Sequence, residues 1–294
     1  MTAEGPSSGG RPSAPIVGAE EPTELPSDYW QRIFDVEQRH WWHQGMRAIS
    51  AAVLGQRLER RNQAILDAGC GTGGFLRWAL ALDAFETGSG VDVSPAAVSL
   101  AKERVPGAEL TVASVADLPF ETSSFDLVTL NDVLQHVLEE QILATLEEAR
   151  RVLKPGGALL LRTGGARCAR RERVDWQIWD KATLSEALGA AGFRCERLTY
   201  ANLVPSLVAN LRGRHPHAPS ERRHGIPQLA DSRSAAVAGS LLRLEAAFLS
   251  RGSVALPYGH TLLALAEPGT VGKSGTLGRE TGLENPGSDA MHEL

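Results

Sequence analysis

The 294-residue chain has little cysteine, little lysine and no long apolar run. Its three cysteines, Cys70, Cys168 and Cys195, are scattered and odd in number. That excludes a disulfide-stapled scaffold, and no metal-ligand spacing is present, so no metal is expected. Lysine occurs only at Lys102, Lys154, Lys181 and Lys273, and the net charge is −5. The basic excess that draws proteins to nucleic acid or to anionic membranes is missing. No apolar stretch approaches the roughly 18 residues of a membrane span, and the first residues lack a basic-then-apolar leader pattern. These absences lead us to expect a soluble, cytoplasmic protein without nucleic-acid or membrane partners. What the chain does have is a 43% hydrophobic content, enough for a real core, and a length that suits one large domain or two small ones.

Both ends are rich in Gly, Pro, Ser and Glu, and residues 1–26 and 268–294 read as disordered tails. Residues 27–60, "DYWQRIFDVEQRHWWHQGMRAISAAVLGQRL" at their heart, read as a helical cap dense in aromatics. From 61 to 267 short apolar runs alternate with helical patterns: "AILDAG", "SGVDV", "AELTVAS", "FDLVTLN", "ALLLRT", "RCERLTY" and "HTLLALAEP" read as strands. Such alternation predicts an α/β fold with a mostly parallel, doubly wound sheet. Ser94 followed by Pro95 marks a helix start. The stretch from about 201 to 256 is too long for a simple connection. It reads as a helical insertion over the site, a lid or an oligomer contact, so a homodimer is one expectation.

Glycine is abundant in one place. "ILDAGCGTGG" sets Gly69, Gly71, Gly73 and Gly74 directly after a strand, where an open parallel sheet binds its ligands. A dinucleotide site calls for G-x-G-x-x-G and a pyrophosphate at the helix N-terminus. Here the spacing is G-x-G-x-G, and the carboxylate of Asp67 precedes it, which would repel a pyrophosphate and suit an ammonium group. Asp92 ends the next strand, where an acid accepts the hydroxyls of a ribose. An amino acid joined to a nucleoside, S-adenosylmethionine, fits both acids.

"ILDAGCGTGG", "GVDVS", "ADLPFETSSFDLVTLNDVLQHV" and "ARRVLKPGGALLL" together resemble, in order, the motifs of bacterial small-molecule class I S-adenosylmethionine-dependent methyltransferases, of the methyltransferase-11 type. The resemblance runs from about Asp28 to Pro268. It implies a Rossmann-like, seven-stranded sheet of order 3-2-1-4-5-7-6 with the last strand antiparallel. It implies that Asp67, Ala68, Gly69, Gly71 and Gly73 line the methionine end, that Asp92 binds the ribose and Val93 packs on the adenine, that Ser114 and Val115 lie at the adenine edge, and that Asn131 sits under the methionine. Ser114 stands where many relatives carry Asp. His40, Trp41, Trp42 and Arg47 match a subgroup whose N-terminal segment closes over the cofactor, and Arg47 is a candidate for the cofactor carboxylate.

The acceptor leaves fewer marks. Enzymes that methylate base amino groups carry an Asp/Asn-Pro-Pro-aromatic motif after the fourth strand; here "LNDVLQHV" stands instead, which favours a small-molecule acceptor. Methyl transfer from a sulfonium depends chiefly on alignment, and a base is needed only for a protonated nucleophile. The candidate bases are His260, His136 and His40, with His43 as a further choice. Candidate acceptor contacts are Arg170, Arg171 and Trp176, in "RTGGARCARRERVDWQIWDK", and Tyr258. The expected activity is methyl transfer to O, N or C of a small, natural-product-like acceptor. A non-catalytic cofactor-binding scaffold, a peptide methyltransferase and a nicotinamide-dependent oxidoreductase remain as other readings.

Overall fold

The computed structural model describes residues 28–165, 179–211, 233–252 and 254–269. The expected tails, apart from residues 268–269, lie outside the described residues, as do Arg170, Arg171 and Trp176. Seven strands form one sheet in the order β3-β2-β1-β4-β5-β7-β6. They are β1 (Gln63–Ala68), β2 (Phe85–Asp92), β3 (Glu109–Val112), β4 (Phe125–Asn131), β5 (Leu153–Gly164), β6 (Phe193–Ala201) and β7 (Thr261–Pro268). The first five pair in parallel, and β7 runs antiparallel between β5 and β6. Leu159, Leu160 and Leu161 follow one another in β5, and each is fully buried. Successive strand residues point to opposite faces, so both faces of this strand are covered.

The helices are α1 (Tyr29–Val36), α2 (Trp41–Leu54), α3 (Gly74–Leu80), α4 (Pro95–Arg104), α5 (Ile142–Val152), α6 (Lys181–Ala190), α7 (Leu203–Leu211) and α8 (Arg233–Leu249). Ser94 caps α4 through a bond from the Ala97 N–H, with Pro95 in the first turn. Asp180 and Thr183 form a capping box on α6. "KPGG" does not interrupt the fifth strand as a separate turn: β5 already begins at Leu153 and passes through it, with Gly156 at φ 77°. The aromatic N-terminal region is two helices, not one. The break falls at Glu37–His40, where the His40 ring accepts from the Trp42 N–H at 3.3 Å and caps α2.

The insertion contributes α7 and α8, and both are tied into the domain. Glu245 of α8 accepts from the N–H groups of Asn202 (2.7 Å) and Leu203 (3.0 Å), satisfying donors at the start of α7. α8 packs on α2 so closely that a Cβ on Gly45 would lie 2.3 Å from Leu242. Arg197 of β6 donates to the carbonyls of Ala52 and Leu249, near the carboxyl ends of α2 and α8, where a cation meets the negative helix pole.

Candidate active site

The glycine loop bends tightly because β1 and β2 share its backbone. The N–H groups of Gly69 and Cys70 both donate to the Val91 carbonyl at 2.8 Å. Gly69, Gly71 and Gly73 all have positive φ, 83°, 51° and 77°. At Gly69 a side chain is doubly excluded, since its Cβ would also lie 2.2 Å from Val133. Gly74 is small for a different reason. A Cβ there would sit 1.2 Å from Glu37 Oε1, so the cap's carboxylate packs directly on the first turn of α3.

Two acids flank the loop. Asp67 is 1% exposed and accepts from Thr129 Oγ1 at 2.5 Å and from Asn131 Nδ2 at 3.5 Å. Burial pushes its carboxyl up to about 7, against the opposing pull of those bonds and of Arg162. Asn131 Oδ1 is buried with no hydrogen-bond partner among the described residues. A buried carboxylate beside a carbonyl oxygen that has no donor leaves acceptor capacity unfilled. An ammonium group supplies that donor and would restore the charge on Asp67. At the end of β2, Asp92 accepts from the N–H groups of Gly71 (2.8 Å) and Ser94 (3.0 Å). These bonds orient the carboxylate and hold the glycine loop at the end of β2.

Val93 is half-buried next to Asp92, and Ser114 and Val115 are half-buried in the loop after β3. That loop lies against the end of β2, since the Ala113 N–H donates to the Asp92 carbonyl at 3.1 Å. Ser114 Oγ accepts from the Ala116 N–H at 3.2 Å. The donor set fits S-adenosylmethionine: Asp67 and Asn131 for its ammonium, Asp92 for its ribose, and the 93 and 114–115 positions for its base.

The cap is latched to this loop. Glu37 Oε2 pairs with Arg104 at 2.7 Å and accepts from the Thr72 hydroxyl, and Arg104 also reaches Thr72 at 3.0 Å. Arg104 lies 4.0 Å from the centroid of the Phe34 ring and donates to the Phe34 carbonyl. Arg47 donates to Gln38 Oε1 at 2.9 Å and to the carbonyls of Glu37, Gln38 and Gly74. Its guanidinium is therefore committed to the cap and to the start of α3. The Trp30 ring lies 3.7 Å from the Cβ position of Gly71. Tyr29 is close enough to Asp92 that the carboxylate adds to burial in raising its phenol pKa. These two aromatics of α1 stand beside the glycine loop and Asp92, and the sequence marks them only by the adjacent "YW".

The proposed bases are dispersed. His136 is exposed, with its ring 3.4 Å from the Gln135 amide. His260 is buried beneath α7, its Nδ1 against the Ser206 hydroxyl and its N–H on the same oxygen at 3.0 Å. The His40 ring accepts from the Trp42 N–H at the start of α2. Tyr258 is half-buried in the loop before β7. The thiol of Cys70 is pushed up by burial, which removes it as a nucleophile.

Arg162 is the residue that sequence reasoning missed. It ends the apolar part of β5 and pairs in register with Asn131. It is 6% exposed and is held by Asp132 at 2.7 and 3.1 Å. Its guanidinium lies 5.3 Å from the Trp42 ring centroid, and His43 meets the same ring edge-on at 5.0 Å. The only signal in the sequence was one charge closing an apolar strand. A large surface cavity lined by Ala64, Glu86, Glu109 and Phe125 lies near the opposite, amino-terminal edge of β1, β2 and β4. None of the acids or aromatics described above reaches it, and ligands of such sheets sit at the carboxyl ends.

Comparison with known proteins agrees with this geometry. A family model described as a methyltransferase domain matches residues 66–161. The chain is 29% identical over 238 residues to a demethylmenaquinone methyltransferase of Clavibacter sepedonicus, covering 70% of this chain and 90% of that protein. It is 34% identical over 128 residues to an uncharacterized methyltransferase of Bacillus subtilis (strain 168), covering 40% of this chain and 50% of that protein. The chain thus spans only about half the length of this last relative. Among solved structures, a chain from the complex between the Haloferax volcanii Trm112 methyltransferase activator and a methyltransferase superposes with a TM-score of 0.56 at 21% identity, covering 82% of this chain and 95% of that one.

Proposed function

We propose that the chain is a class I S-adenosylmethionine-dependent methyltransferase that methylates an oxygen, nitrogen or carbon of a small-molecule acceptor in a biosynthetic pathway. The observation that carries this reading is the buried acceptor pair of Asp67 and Asn131 on one side of the glycine loop, with Asp92 on the other. The cofactor, when bound, supplies a methyl group already activated by a positively charged sulfur. The chain's own task is then to bind, orient and keep out water. Asp67 and Asn131 fix the amino-acid end, Asp92 fixes the ribose, and the latched aromatic cap shields the site, which strengthens its electrostatics. Such positioning accounts for much of a methyl transferase's rate without a covalent intermediate. The demethylmenaquinone methyltransferase relative supports a small-molecule acceptor, and the net charge of −5 disfavours nucleic acid.

Calorimetry with S-adenosylmethionine, S-adenosylhomocysteine and a nicotinamide dinucleotide tests the cofactor. Binding of the first two and not the third is expected; binding of the dinucleotide alone overturns the reading. Release of S-adenosylhomocysteine in the presence of small-molecule acceptors separates an enzyme from a binding scaffold.

A further inference from the structure

The site has a second half that the cofactor contacts do not use. Asp67, Thr129, Asn131 and Arg162 follow one another across β1, β4 and β5 through paired registers, Asp67 with Thr129 and Asn131 with Arg162. Paired residues of parallel strands, and residues two apart on one strand, share a face, so all four point to the same side. Neighbouring strands are about 4.8 Å apart. With a rise of about 3.3 Å per residue, the backbone of Arg162 therefore stands roughly 12 Å from that of Asp67, two strands across and two residues along the sheet.

Three groups meet there. Asp132 binds Arg162 through Nε and Nη2 and leaves Nη1 without a hydrogen bond among the described residues, a donor edge held in place. The Trp42 ring offers a flat apolar wall in contact with both Arg162 and His43. His43 Nε2 is buried with no hydrogen-bond partner among the described residues. Burial, then the charges of Arg162, His40, Arg47 and Arg104, press the His43 pKa down to about 3, so the imidazole is neutral and one ring nitrogen is an acceptor.

We propose that Arg162, Trp42 and His43 form the acceptor subsite and that the acceptor carries an ionisable hydroxyl on a flat conjugated ring or enol. This rests on the methyltransferase reading above. The chemistry selects among acceptors. A hydroxyl donates to His43 Nε2 and accepts from Arg162 Nη1, which fills both vacancies. A carboxylate would satisfy Arg162 and leave the imidazole unfilled. An ammonium would meet a guanidinium and offer it nothing. In the hydroxyl case His43 Nε2 accepts a hydrogen bond that orients the O–H; as the hydroxyl ionises the proton leaves to solvent water, the electron pair stays on oxygen, and the negative charge faces Arg162. That oxygen, or a carbon conjugated with it, becomes the nucleophile. His43 and Arg162 are then catalytic residues, and Asp132 positions Arg162.

The test is equilibrium binding to the full chain saturated with S-adenosylhomocysteine. The probes are 1-naphthol, 1-methoxynaphthalene, 1-naphthoate and 1-naphthylamine, read by fluorescence, which also distinguishes bound naphthol from naphtholate. Naphthol should bind about tenfold or more tighter than the other three, the worth of one charge-assisted hydrogen bond. Arg162→Met, His43→Phe and the more conservative His43→Asn should each erase most of that preference. All three should keep S-adenosylhomocysteine affinity within about threefold at pH 8.5, where less of the difference in Asp67 charge remains, which also shows that they fold. A wild-type protein that binds S-adenosylhomocysteine but shows no preference for naphthol overturns the proposal, as do variants that retain the preference. Loss of S-adenosylhomocysteine affinity in Arg162→Met would instead assign Arg162 to the cofactor carboxylate and overturn it too. Failure of the wild type to bind S-adenosylhomocysteine would sink the underlying functional reading, a distinguishable result.

Discussion

At the scale of single residues, the two acids of the glycine loop do different work, and their titration separates them. Asp67 is buried, and the free protein holds its carboxyl near 7 in place of 3.8. Pairing with an ammonium group requires the charged form, so binding below pH 7 must expel a proton. S-adenosylhomocysteine affinity should therefore fall by about tenfold per pH unit below 7. Asp67→Asn should bind weakly at every pH and lose that slope in calorimetry between pH 5 and 8. A wild-type affinity independent of pH would refute the assignment. The same shift has a stability consequence of opposite sense. The unfolded chain releases this proton near 3.8 and the folded chain only near 7. Between those values the native state binds more protons, so stability declines as pH rises through the window, by up to about 4 kcal/mol. Asp67→Asn should accordingly stabilise the free protein at pH 8, measured by urea unfolding, while it weakens ligand binding. Asp92 is different, since it holds Gly71 and Ser94 by backbone bonds as well as being the proposed ribose acceptor. Asp92→Ala should cost about 3 kcal/mol or more of S-adenosylhomocysteine affinity, roughly a hundredfold; unchanged affinity would show that the ribose lies elsewhere.

At the scale of elements, the cap is the part whose connections sequence patterns hid. The helical character of residues 29–54 was legible from apolar spacing and the aromatic cluster, and so was the start of α4 at Ser94. The break between α1 and α2 was not, because the signal that stops α1 is not local. Glu37 is drawn onto Arg104 and Thr72, which are far away in sequence, while His40 caps the next helix with a ring nitrogen in place of the usual hydroxyl or carboxylate. Arg162 stayed hidden for a related reason: its meaning depends on Asp132, Trp42 and His43, which only the fold assembles. The Glu37–Arg104 pair is buried, with side chains 11% and 3% exposed. Breaking one partner of such a pair costs about 3 kcal/mol. Glu37→Gln should therefore loosen α1 from the glycine loop and speed S-adenosylhomocysteine dissociation in stopped-flow. Hydrogen exchange should rise in residues 29–36 and stay unchanged in β4 and β5. An effect spread evenly over the sheet, or none at all, would show that the pair is not the latch.

At the scale of the whole molecule, the sheet order and the antiparallel β7 were within reach because successive motifs in the sequence resemble one family whose topology is shared. The motifs of a strand end and a glycine turn are also local, so their residues could be placed by number. The acceptor half was not legible, because it draws on α2, β4 and β5 at once. That division of labour predicts how the molecule responds to its ligand. α2 buries Met46, Ile49, Val53 and Leu54 in the core and packs on α8, whereas α1 buries no side chain fully. α1 is then the element that opens at low cost, since local stability follows buried apolar contact, and its Tyr29 and Trp30 stand over the nucleoside end. Saturating S-adenosylhomocysteine, at about a hundred times its Kd, should stabilise the native state by about 2.7 kcal/mol through mass action alone. For a chain of this size that corresponds to a rise in Tm of about 5–10 °C. Exchange protection should grow most in α1, where the ligand closes a fluctuating wall, and little in α2, which is already part of the core. Equal gains in the two helices would mean that the cap moves as one body, and no gain in α1 would mean that its aromatics do not cover the bound cofactor.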